Sequence, residues 1–166
     1  PYSLFSLTTG TDNIAIGYNA LYTEDAGGKS IAIGTDALKS QDSSGSNIAI
    51  GYQAGDAITT GNENIVIGED AAGATISGLR NIAIGSEALK TNIDGDGVIA
   101  IGYRALKTLE PSDGFAHNVA VGYESATSAT TSTYGTFIGS QAGTSVTTGT
   151  YNAALGAQAM FSADVG

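Results

Sequence analysis

Three groups of residues in this 166-residue chain have types and spacings suited to chemistry. The first is Asn92-Ile93-Asp94-Gly95-Asp96-Gly97. Oxygen-bearing side chains at alternate positions, Asn92, Asp94 and Asp96, with a glycine for the turn, match the front half of a calcium loop. The bidentate glutamate expected later is missing and Tyr103 stands in its place, so the stretch reads first as an acidic turn. The second group is Tyr18, Tyr52, Tyr103 and Tyr123, followed by Asn19, Gln53, Arg104 and Glu124. An aromatic ring beside an amide or a charge suits a sugar, and it equally suits a structural column packed beneath a turn. The third is the segment from Lys107 to His117, with Phe115 and the only histidine. One histidine and no cysteine leave no basis for a catalytic triad or a histidine metal cage. Carboxylates such as Asp36, Asp70 and Glu87 are scattered and read as a solvated column. No catalytic residue and no cofactor are expected, and the chain does not read as an enzyme.

What positions these residues is a repeat. Asn13-Ile14-Ala15-Ile16-Gly17-Tyr18-Asn19-Ala20-Leu21 returns eight more times, centred on Gly34, Gly51, Gly68, Gly85, Gly102, Gly122, Gly139 and Gly156. The interval is 17 residues throughout, except for 20 between Gly102 and Gly122. A fixed period this short signals a solenoid. Ile-Ala-Ile-Gly alternates with period two, a strand pattern, and its β-branched residues disfavour helix. A second, weaker strand is expected through Tyr18-Asn19-Ala20-Leu21 and its equivalents. Segments such as Thr60-Gly61-Asn62 and Asp94-Gly95-Asp96-Gly97 are turn chemistry. The expected architecture is an all-β parallel solenoid of about nine 17-residue coils. Its in-register strands would form a rod of roughly 40 Å.

In register, each position becomes a column. Isoleucines three and one before the glycine are expected to form the core. Asparagines four before it would form an amide ladder. The glycine itself would make a corner that a Cβ obstructs. Two isoleucines and a leucine per coil bury too little surface to offset the ordering of 17 residues, which motivates a second burial surface. The small residues between the isoleucines would supply it. Ala15, Ala32, Ala49, Ala83, Ala100, Ala120 and Ala154 are expected to form an outward stripe, and this stripe or the neighbouring leucine column is where chains are expected to meet. The extra residues before His117 map to a loop, a place where solenoids often bind.

Net charge is −10 with only six Lys and Arg, which argues against nucleic acid and against anionic membrane surfaces. Cysteine is absent, excluding disulfides and thiolate chemistry. No apolar run is long enough to span a membrane as a helix. Leu7 to Asn13 resembles Val146 to Asn152, the tail of a coil, so residues 1–166 read as one array cut in mid-coil from a longer fibre.

The block Asn-Ile-Ala-Ile-Gly-Tyr-Asn-Ala-Leu resembles the head repeats of trimeric autotransporter adhesins. The 17-residue period with Thr-Thr-Gly turns, as at Thr147-Thr148-Gly149, is similar to repeats of phage tail fibres and related surface proteins. The resemblance covers essentially the whole chain. It implies a left-handed parallel β-roll, three chains side by side, and an extracellular location on a virion or bacterial surface. Function is then expected to be structural and adhesive, with multivalent presentation to a host or receptor. Two alternatives stand beside it. One is a glycan-binding module using Tyr18, Tyr52, Gln53, Tyr103, Arg104 and Tyr123, or Phe115 and His117. The other is an ice-binding solenoid, which the lack of a regular threonine column counts against.

Overall fold

The computed structural model describes residues 2–24, 26–111 and 114–162. Nine three-residue strands recur in chain order: β1 (Ile14–Ile16), β2 (Ile31–Ile33), β3 (Ile48–Ile50), β4 (Ile65–Ile67), β5 (Ile82–Ile84), β6 (Ile99–Ile101), β7 (Val119–Val121), β8 (Thr136–Ile138) and β9 (Ala153–Leu155). They form one parallel sheet in sequence order. The register is that of the repeat, Ile14 on Ile31 and Ala83 on Ala100, and the insertion leaves it intact, with Ile99 on Val119. No helix occurs among the described residues. The chain is a β-solenoid, as its period predicts.

Every strand ends at the repeat glycine. There φ lies between +117° and +143°, far from the range open to other residues. A Cβ on Gly85 would sit 2.5 Å from the carbonyl oxygen of Gly102 in the next coil. The same clash recurs at every central glycine except Gly156, which faces nothing within 4 Å. The corner is therefore closed twice, by backbone conformation and by the coil above it.

The second strand expected after the corner does not form. Asn19 and Leu21 both have positive φ, 54° and 50°, and their equivalents repeat this along the rod. Left-handed residues alternating with ordinary ones give a stack of turns instead of a pleat. Hydrogen bonding is kept all the same. Asp36 N–H donates to the Tyr18 carbonyl of the preceding coil, while Leu21 N–H donates to the Ala37 carbonyl of the following one. Each coil thus binds its two neighbours through the turn segment as well as the strand.

The inside and outside of the strand are the reverse of the sequence expectation. Ala32, Ala49, Ala83, Ala100 and Ala120 are fully buried, Ala154 nearly so, and Ala15 packs against the same core. The isoleucines on either side of them face outward and are only half-covered, with Ile16 60% and Ile50 37% exposed. The proposed alanine seam is therefore interior to a single chain. The reason is volume. A 17-residue coil encloses a narrow space, and the opposite wall fills it with a second alanine column (Ala20, Ala37, Ala54), with Leu21, Leu38, Leu89 and Leu106, and with the residue seven past the glycine, such as Ile58, Leu109 or Val146. Small residues must face them across the gap.

Where one column swells, others shrink. Phe137 replaces the inner alanine and is fully buried. A Cβ on Gly135 would lie 2.3 Å from its ring, and one on Gly143, where other coils carry leucine, 2.2 Å. Likewise Gly55 leaves room for the Cδ1 of Ile58. The departures from the repeat at Gly135, Phe137 and Gly143 are one packing solution in three parts.

The asparagine column does form a ladder, mainly to backbone. Asn64 accepts from the Asn81 N–H (2.9 Å) and donates to the Gly78 carbonyl (2.8 Å), and Asn81 accepts from Val98 N–H and donates to Gly95. Within the column, Asn64 to Asn47 is an amide-to-amide contact, at 3.2 Å.

Two outcomes follow. Gly85→Ala should cost several times more stability than Gly156→Ala, which meets only the conformational penalty of about 1–3 kcal/mol. Denaturant unfolding followed by circular dichroism compares them. In a double-mutant cycle, Phe137→Ala and Gly143→Leu should each destabilise strongly, with Phe137→Ala costing about 3–5 kcal/mol. The pair together should be markedly less harmful than the sum, because it restores the alanine–leucine arrangement of other coils. Additive losses would refute the compensation.

Candidate functional site

The calcium-like stretch does not assemble. Asn92 is buried, and its carboxamide closes on the backbone of Gly95, accepting from its N–H and donating to its carbonyl, each at 3.1 Å. Asp96 accepts from Leu79 N–H at 2.7 Å. Asn92 is turned into the core, so the three oxygens do not converge. Among the described residues no cluster of three metal-ligating side chains occurs, and they enclose no cavity.

The tyrosine column is on the surface, with Tyr18, Tyr52 and Tyr123 about half exposed and Tyr103 36% exposed. Its members fall into separate places. Tyr18 meets the edge of Tyr2, 5.9 Å between centroids. Tyr52 and Gln53 stand alone between coils that carry Thr35 and Glu69 at the tyrosine position. Tyr103 and Tyr123 come together as a stack, 5.4 Å apart and 20° from parallel, and the Arg104 guanidinium covers the first ring at 4.7 Å. The insertion brings these two coils no closer or further, since their strands remain paired.

The inserted segment is mostly anchored. Leu109 and Pro111 are buried, and Glu110 accepts from the Ile93 N–H at 2.9 Å. Burial pushes the Glu110 carboxyl up from its ordinary range, while that N–H pulls it back. Phe115 and His117 are exposed and stack on one another, 6.2 Å apart. The stack runs on through Tyr134 and Tyr151 at 5.4 and 5.1 Å, all within 8° of parallel. Sequence reasoning missed the last two. The signal was available: His117, Tyr134 and Tyr151 are 17 apart, five before their glycines. Phe137, in contrast, lies in the core.

The charged groups form a network three coils wide. Glu87 receives Arg104 Nε at 2.6 Å, Lys107 Nζ at 2.9 Å and Lys90 Nζ at 3.2 Å, and Lys90 also reaches Asp70 at 2.5 Å. Hydrogen bonds from Lys107 and Arg104, with Lys90 adding to them, hold the Glu87 carboxyl at about 2. Further along, Asp56 is pushed up, first by burial and then by Asp70. Glu87 and Asp70 are thus paired with cations, whereas Asp56 lies half-buried beside Asp70.

Comparison with family profiles, with curated proteins and with solved structures finds no match to this chain.

The Glu87 network has a testable sign. A carboxyl lowered from 4.5 to about 2 on folding contributes stability that is complete above pH 4.5 and is lost as pH falls toward 2. Glu87→Gln should therefore lower the unfolding midpoint at pH 7, and the gap from the parent protein should close progressively below pH 4.5. A gap independent of pH would contradict the ionised hub.

Proposed function

We propose that this chain is a structural and adhesive fibre segment, built as a left-handed roll, in which copies stand side by side and present the same surface many times. The observation that carries this reading is the outward isoleucine stripe. Both outer columns run the length of the nine-stranded sheet, and neither contains a charged residue. Ile14, Ile16, Ile50, Ile138 and Leu155 remain substantially exposed. A long, charge-free apolar stripe marks an interaction surface.

A second copy is the natural occupant. Its stripe repeats at the same spacing of about 4.8 Å per coil, so isoleucine rows meet isoleucine rows when the copies lie parallel and in register. The seam would then be Ile31, Ile33 and their equivalents, in place of the alanines expected from sequence. Three such faces closing on one axis give the trimer that the repeat resemblance implies. A rigid rod of this kind, on a virion or a bacterial surface, works by display. Weak contacts repeated on parallel chains gain strength through avidity, without catalysis. The flat face carries isoleucine and the threonines stay in turns, so the ice-ordering alternative draws no support from it.

Light scattering of the chain should give three times its 16.5 kDa mass. Ile67→Asp with Ile84→Asp, both on the outer face, should yield monomers with an unchanged β signal in circular dichroism. A parent protein that is monomeric at micromolar concentration would refute the reading.

A further inference from the structure

The geometry points to a neutral-saccharide subsite on the open face of Tyr123, at the step between the seventh and eighth coils. The inference rests on the reading of the chain as a segment that presents a surface, and it names what that surface holds. The tyrosine position reads Tyr103, Tyr123, Ser140, Ala157 in successive coils. Tyr103 stacks on one face of Tyr123, and Arg104 backs Tyr103 in turn. On the other side the ring is followed by two short, exposed side chains, Ser140 and Ala157. Two coil steps amount to roughly 10 Å along the rod in which no ring or long side chain of this column continues the stack. The Tyr123 ring is thus braced from behind and open in front, a floor whose orientation is fixed before any ligand arrives.

A polar wall stands beside this floor. The next position along the chain reads Glu124, Gln141, Gln158. Gln141 Nε2 donates to Glu124 Oε2 and Gln158 Nε2 donates to Gln141 Oε1, each at 3.2 Å. Backbone bonds fix their spacing, with Gln141 N–H on the Tyr123 carbonyl and Gln158 N–H on that of Ser140. Each amide has a second N–H to give, and Glu124 and Gln158 keep acceptor oxygens. An aromatic face with donors and acceptors alternating along one side complements a pyranose, whose C–H face is electropositive and whose rim is hydroxyl. The Glu124 carboxylate opposes an acidic sugar in the same place. The other members of the tyrosine column, and the rings in the middle of the second stack, are placed differently. Tyr52 has Thr35 and Glu69 on either side and no ring behind it, Tyr18 is met edge-on by Tyr2, and His117 and Tyr134 cover their faces within their own stack.

Saturation-transfer NMR tests this with four probes: the methyl glycosides of glucose, galactose and N-acetylglucosamine, and N-acetylneuraminic acid as the acidic one. At least one neutral glycoside should receive saturation through its ring C–H protons. Ser140→Tyr, which extends a stack the column already tolerates, should abolish the signal while leaving circular dichroism unchanged. Tyr123→Ala should abolish it too, Gln141→Ala should weaken binding about tenfold, converting the loss of one such contact, and Tyr52→Ala should leave it intact. No signal from any neutral glycoside, binding that survives Ser140→Tyr, or binding of the acidic sugar alone would overturn the subsite. Light scattering on the same samples separates the two readings. Trimers that bind no sugar sink the subsite alone, and monomers whose binding is blocked by Ser140→Tyr sink the side-by-side fibre while sustaining the subsite.

Discussion

The solenoid depends on one close approach. At the end of each strand a glycine turns the chain with a φ that side chains rarely allow, and the carbonyl of the next glycine takes the space a Cβ would fill. That contact sets how near two coils can come, and so lets the short three-residue strands pair in register. Once the spacing is fixed, identical positions stack, and every column inherits one environment. Alanine can then fill the interior, asparagine can reach the next coil's backbone, and turns can exchange hydrogen bonds without forming a second sheet. Few of these contacts are strong alone. Repetition sums them, which is how a coil with so little apolar volume holds its shape.

The interior shows how tightly such a summation is constrained. Its width is set by the backbone path of 17 residues, so volume at one column must be given up at another. Gly135, Phe137 and Gly143 do this inside a single coil, and Gly55 with Ile58 does it in another. The polar end of the rod follows the same rule with different chemistry. Glu24 and Gln41 occupy the position that Ile58 holds later, fully buried, and Gln41 joins Glu24, Ser30 and Asn47 through hydrogen bonds. A buried polar residue is tolerated there because neighbouring coils present partners at a fixed height.

Much of this was legible in the sequence. The period gave the coil, Ile-Ala-Ile gave the strand, and the glycine and asparagine columns announced a corner and a ladder. What periodicity could not reveal was which side of a strand faces in. Period two separates isoleucine from alanine but is silent on direction, and size suggested the wrong answer because the enclosed space was not in the pattern. The segment after the glycine failed for a different reason: Asn19 and Leu21 adopt left-handed conformations that nothing in leucine's own preference predicts, and stacking imposes them. Of the candidate site residues, Tyr103, Tyr123 and Arg104 are the ones that the structure brings together. Tyr134 and Tyr151 were overlooked because they repeat outside the conserved-looking block. Asn92 looked like a ligand only until the core claimed it.

The asparagine latches all run one way, from a coil to its successor, and they are not present at every joint. Asn47, Asn64, Asn81 and Asn118 each grip the following coil. Ser30 offers only a hydroxyl in that place, and Val98 and Gly135 offer no polar side chain. The joint above Val98 is also where the chain inserts its longest detour. The joints above Val98 and Gly135 thus lack the latch and rest on the strand and turn hydrogen bonds that every joint shares, so the latch adds to the stacking of coils without being required for it.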